Sequence, residues 1–185
     1  VRVVGVDLSL TSTGLADSLG DVERVTTRAV PKDDVTAVSN RIRWIADEVD
    51  VFAGSWAKYD TADLVAIEGP SFASTGGQQH TRGGLWWVTV DGLLRRSVPI
   101  LVVPPTVRAK YATGKGNASK DQVLASAIKR YPAIDITGND IADAVLLAAI
   151  GARMLGDPME EREPSAACLG ALKTLSLPDG APCTR

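Results

Sequence analysis

Apolar and polar positions along this chain follow two rhythms, and the change from one to the other marks out its elements. VRVVGVDL at the N-terminus and ADLVAIEG around residue 65 are nearly unbroken, β-branched apolar runs, the pattern of strands covered on both faces. Residues 2 to 8, Gly14 to Asp17 and Val22 to Val30 read as three short strands separated by LTST and SLGD turns, an antiparallel meander. From Asp33 to Trp56 the residues Val35, Val38, Ile42, Ile45, Val49 and Phe52 recur at steps of three and four, which predicts an amphipathic helix. A strand at Leu64 to Glu68 follows, then the Gly/Ser/Gln-rich loop GPSFASTGGQQHTRGG, a helix around Leu85 to Arg96, and a strand at Ile100 to Val103 closed by Pro104 and Pro105. The loop ATGKGNAS leads to a helix from Ser119 to Tyr131 with Leu124, Ala127, Ile128 and Tyr131 as its core stripe. The last helix, NDIADAVLLAAIGARML, is too apolar for a surface element and so is expected to pack on the sheet. Residues 157 to 185 show no clear period, and no internal repeat is evident.

Four acids stand out against this apolar background. Asp7 and Glu68 end the two most hydrophobic strands, where an acid points into the crevice that open α/β sheets use for ligands. Asp140 and Asp143 are three apart on one helical face, behind Asn139 as the expected N-cap, where the helix dipole favours anions. Lone charges at such positions would be costly, so their joint presence points to divalent cations that gather them. Oxygen-only donors, with one histidine and two cysteines in the whole chain, favour Mg²⁺ or Mn²⁺ over zinc.

At 185 residues and 45% hydrophobic content, the chain is expected to form one globular domain with a proper core. No apolar run reaches membrane-spanning length and the chain starts with a strand rather than an export signal, which predicts a soluble, cytoplasmic protein. Cys168 and Cys183 are then expected to be free thiols. The net charge of −2 argues against a generally basic surface, yet Arg108, Lys110, Lys115 and Lys120 lie in a stretch that holds no acid. A local basic strip beside an acidic metal site suits a polyanion, although solvated loop lysines would look the same.

The order of elements, with acids on the first and fourth strands and the last helix, resembles the ribonuclease H-like fold and, more narrowly, the RuvC-type Holliday junction resolvases. The segments that carry the likeness are GVDLSLTSTG around Asp7, VAIEGPSF around Glu68, GKGNASKDQV holding Lys120, and DIADAV with Asp140 and Asp143. It spans residues 1 to 156, which would form the nuclease domain and leave 157 to 185 as a tail of unassigned role. The resemblance implies a five-stranded mixed sheet flanked by helices, the first three strands antiparallel and the fourth and fifth parallel to the first. It also implies a homodimer acting on four-way DNA junctions with two Mg²⁺ ions per active site, replaceable by Mn²⁺, in a bacterium or its phage. Asp7 would bridge the ions, Glu68 and Asp143 would each bind one or the other, and Asp140 would be the fourth ligand. Lys120 would contact or neutralise the scissile phosphate, and Phe72 is the counterpart of an aromatic that inserts at the opened junction. The family's basic position falls on Ala109, so Arg108 or Lys110 must take its role; Lys115, Gln78, Gln79 and Arg82 are further candidate DNA contacts.

Other residues read more plainly. Ser9 and Thr11 are turn formers with a possible phosphate contact, His80 is an exposed loop residue, and Trp44 and Trp56 are core or edge packing on the first helix. Three alternatives stay open: a nuclease acting on flaps and forks as well as junctions, a junction-binding protein that does not cut, and a relative of the actin-like ATPases. The last would need a second domain around its nucleotide.

Overall fold

The computed structural model describes residues 1–55, 60–70 and 78–182; Trp56, Phe72 and Cys183 lie outside them. Three strands, β1 (Val3–Asp7), β2 (Ser12–Asp17) and β3 (Val22–Thr26), form the expected antiparallel meander. A helix α1 (Val35–Asp50), running on into a π-helical turn at Val51–Ser55, leads to β4 (Leu64–Glu68). Then come α2 (Gln79–Arg95), β5 (Ile100–Val103), α3 (Pro105–Thr113), α4 (Lys120–Arg130) and α5 (Asn139–Met154). The sheet order is β3-β2-β1-β4-β5, with β4 parallel to both β1 and β5. This is the mixed five-stranded sheet that the resemblance implied.

The two-residue period of the strands divides their side chains between two cores. Val3, Leu64, Ala66, Leu101 and Val103 face one side with α3, α4 and α5, while Val4, Val6, Leu15, Val65 and Ile67 face the other with Val49 and Phe52 of the α1 segment and Val90 and Leu93 of α2. Every residue of α5 from Ile141 to Ala152 is buried. At about 1.5–3 kcal/mol for each fully buried large side chain, Ile141, Leu146, Leu147 and Ile150 alone anchor this helix firmly. Close approach depends on Gly5, because a β-carbon there would overlap the Ala144 carbonyl of α5.

Several expectations are corrected. Pro104 and Pro105 do not merely close β5: Pro105 is the first residue of α3, where a missing N–H is no loss, and this helix was not anticipated. Gly138, with no side-chain bond, caps α5 instead of Asn139. In α4 the buried stripe is Val123, Ala127 and Tyr131, one step round from the expected set, leaving Ile128 48% exposed. Val35 at the start of α1 is exposed, and Trp44, at 45% exposure, leaves edge packing rather than core as its place.

Residues 157–182 lie against the domain. Met159, Leu172, Leu175 and Leu177 pack on the α5 core, with short helices α6 (Ala166–Leu169) and a 3₁₀ turn at Leu172–Thr174 between them. Glu160 is their polar anchor: its side chain is fully buried, accepts hydrogen bonds from the hydroxyls of Tyr111 and, at 2.7 Å, Tyr131, and pairs with Arg153 at 3.0 Å. Cys168 is a buried free thiol.

Candidate active site

Asp7 ends β1 and Glu68 ends β4. Because these strands are parallel neighbours with Val6 paired to Ile67, both acids emerge at the same end of the sheet. The first turn of α5 arrives over that end, bringing Asp140 and Asp143 from one helical face. Gly14, the cross-strand partner of Asp7, permits this, since a β-carbon on it would overlap the Asp140 carbonyl. All four acids line one open cleft of about 910 Å³, together with Arg108 and Lys120. The far wall comes from α2, with Gln79, Arg82 and Trp86, and the Trp86 indole N–H donates to the Glu68 carbonyl at 3.1 Å, tying that wall to the end of β4.

Two guanidinium groups reach these acids, Arg108 from within the cleft and Arg24 from β3. Arg108 of α3 stands between two acids: its Nε is 2.6 Å from Glu68 Oε2, and its Nη1 contacts Asp143 Oδ1. The approach to Glu68 is a charge contact off the N–H axis, so the buried Glu68 Oε2 has no aligned hydrogen bond. Arg24, on β3, grips Asp140 with both ends, Nε to Oδ2 at 2.5 Å and Nη2 to Oδ1 at 2.7 Å. Ser12 adds its hydroxyl to Oδ2 at 2.5 Å. Neither Arg24 nor Ser12 was anticipated as a site residue. Nothing in the local pattern VERVT distinguishes Arg24 from any charged residue on an edge strand.

These surroundings split the acids electrostatically. Burial, reinforced by the negative charge of Glu68, pushes the Asp7 carboxyl from 3.8 up to about 7, against the pull of Arg108 and Lys120. Burial also raises Glu68, outweighing Arg108. Asp140 moves the other way: burial opposes ionisation, but the bonds from Arg24, Ser12 and the Ile141 N–H prevail and hold it below the usual carboxylate value.

The donor chemistry fits a divalent cation. Four carboxylates face one cleft, Glu68 Oε2 lacks an aligned donor, and among the described residues no hydrogen bond or ion pair engages the Asp7 carboxyl. Among the described residues no three of these groups are placed to share an ion, and guanidinium groups engage Glu68, Asp140 and Asp143.

Among the other expected contacts, Arg82 lines the cleft, whereas Gln78, Lys110 and Lys115 do not. Ser9 is on the cleft wall, and its hydroxyl accepts from the Thr11 N–H at 3.3 Å, a turn-forming bond. His80 is exposed on the first turn of α2, beside a second groove between α1 and α2. Among the described residues, no helix is long and apolar enough to cross a membrane.

No family model matches this sequence, and neither does any curated protein. Among solved structures, a Thermus thermophilus RuvC structure matches with a TM-score of 0.63 at 18% identity, over 85% of this chain and 98% of that one. T. thermophilus RuvC in complex with a Holliday junction substrate matches with a TM-score of 0.62 at 19% identity, over 83% of this chain and 95% of that one. At such identity the likeness establishes the fold, which is ribonuclease H-like.

Proposed function

We propose that this chain is a metal-dependent, structure-selective endonuclease that hydrolyses phosphodiester bonds in branched DNA, chiefly four-way junctions, as a homodimer. One observation carries the reading: Asp7, Glu68, Asp140 and Asp143 converge with Lys120 and Arg108 in an open cleft at one end of a RuvC-like sheet. An acidic centre rimmed by basic side chains suits a polyanion whose backbone must be cut rather than merely held.

Asp7, Glu68 and Asp143 would hold Mg²⁺ or Mn²⁺, with Asp140 as the fourth candidate ligand. When bound, such a metal pair supplies an activated water and charge relief at the scissile phosphate. The chain's own groups do the rest. Lys120, on the first turn of α4 behind the Ser119 capping box, offers a cation to the phosphate. Arg82 on the opposite wall offers a second backbone contact. Glu68 is held in line by the Trp86 contact to its own carbonyl.

The dimer reading draws support from α2, which leaves Trp87 65%, Val88 42% and Leu94 57% exposed, with Trp87 on the cleft and Val88 on the groove between α1 and α2. Twofold symmetry would match the symmetry of a four-way junction. A broader specificity is the second reading, favoured by the Gly- and Gln-rich run after Phe72, where the sequence departs from the resolvases.

Incubating a labelled four-way junction with Mg²⁺, Ca²⁺ or chelator tests the proposal. Paired symmetric cuts with Mg²⁺ only, and binding without cutting in Ca²⁺, are expected. Equal cutting of flaps, forks and junctions would favour the broader specificity, and an intact junction under every condition would refute both.

A further inference from the structure

We infer that Arg24 and Arg108 are built-in counter-cations of this site, occupying three of its four acids and having to be displaced before a divalent cation can bind; the inference rests on the metal-dependent reading above.

Asp140 shows the principle most clearly. An ionised carboxylate offers about four lone-pair positions. Arg24 Nε and Ser12 Oγ take Oδ2, while Arg24 Nη2 and the Ile141 N–H, at 3.0 Å, take Oδ1, so none remains for a metal. The grip is constructed rather than incidental. Arg24 Nη2 also donates to the Thr137 hydroxyl at 3.1 Å. A β-carbon on Gly138 would lie 2.9 Å from Arg24 Nη2 and 3.0 Å from Asp140 Oδ1, so the glycine leaves the room this pair needs.

Arg108 does the same for Glu68 and Asp143, from a helix on the other side of the cleft. Its side chain is only 12% exposed and its neighbours are two carboxylates that would otherwise repel. Two kinds of cation therefore compete for the same oxygens, and binding of one costs whatever the other contributed. Guanidinium groups also pair bidentately with phosphate. DNA lying across the cleft would offer Arg108, which lines it, an alternative anion and free Glu68 and Asp143, which couples metal entry to substrate.

The test is calorimetric titration of Mn²⁺ into the full chain, without DNA, so that no cleavage enters the readout. Wild type is compared with Arg24→Gln, Arg108→Gln and Arg24→Lys. Each glutamine variant should bind Mn²⁺ about tenfold more tightly, within the usual span of coupling between sites. Arg24→Lys, which keeps the charge, should return towards wild type. Arg24 is one-third exposed, so its two variants decide the matter even if Arg108→Gln fails to fold. Equal or weaker binding by Arg24→Gln overturns the inference while leaving the metal-dependent reading intact. No Mn²⁺ binding by wild type or any variant overturns both.

Discussion

Gly14 lies directly beneath Asp140, so close that a single added β-carbon would overlap the Asp140 carbonyl. It is also the strand partner of Asp7, so one glycine sets the spacing between the sheet-borne and helix-borne acids. Gly14→Ala should lift the first turn of α5, cost about 1–3 kcal/mol of stability, and reduce junction cleavage by more than the folded fraction falls. Urea denaturation and single-turnover cleavage on the same preparation check this. Unchanged cleavage would mean that the helix tolerates displacement.

The raised Asp7 carboxyl makes a signed prediction for the metal-free protein. A group bound to its proton more tightly when folded adds stability at low pH, and that stability is lost as pH rises from about 3.8 to about 7. Asp7→Asn removes the liability. In chelator it should be more stable than wild type at neutral pH by roughly 2–4 kcal/mol, and no more stable at pH 4. Glu68 is raised for the same reason, so some slope will persist in the variant. Parallel stability curves for the two proteins between pH 4 and 8 would contradict the assignment.

The same variant separates chemistry from binding. Asp7→Asn should lose cleavage by more than about a hundredfold, the scale of removing one charge-stabilising group from an active site. Gel-shift affinity for a four-way junction in Ca²⁺ should remain within a few-fold of wild type.

Lys120 is exposed on the first turn of α4, while the Ser119–Gln122 capping box supplies that helix's start. Lys120→Ala should therefore leave the melting temperature unchanged and lower the cleavage rate by about a hundredfold. A matching loss of junction affinity would instead make Lys120 a general backbone contact.

Glu160 offers a test remote from the cleft. Its buried carboxylate accepts from two tyrosine hydroxyls and pairs with Arg153, which keeps Glu163 at 3.1 Å, so Glu160→Ala leaves two phenols without that acceptor and should cost about 3 kcal/mol. Tyr131→Phe removes one bond and should cost only about 1 kcal/mol. A neutral Glu160→Ala variant would show that residues 157–182 contribute little to the fold.

Much of this architecture was legible in the chain. Strands buried on both faces need continuous apolar runs, so β1 and β4 declared themselves, with the acids at their ends, and β5 showed as a short apolar run before Pro104. The helix Pro105–Thr113 was hidden because Pro104 and Pro105 signal a stop as readily as a helix start, and its short span shows little periodicity. The anchoring of the C-terminal segment was hidden too, because Glu160 finds Tyr111 and Tyr131 at distances along the chain that no local pattern encodes.

What the sequence by itself determined was the inventory: which elements form, which of them are buried, and which four acids stand where a lone charge would be costly. Tertiary structure alone decided what those acids meet. Arg24 and Asp140 are separated by 116 positions, and Arg108 was legible as part of a basic strip and a candidate DNA contact, not as the partner of Glu68 and Asp143. Hydrophobic periodicity is a property of neighbours along the chain, whereas an ion pair depends on where two distant side chains end, and only the packing of α5 and α3 on the sheet brings those ends together.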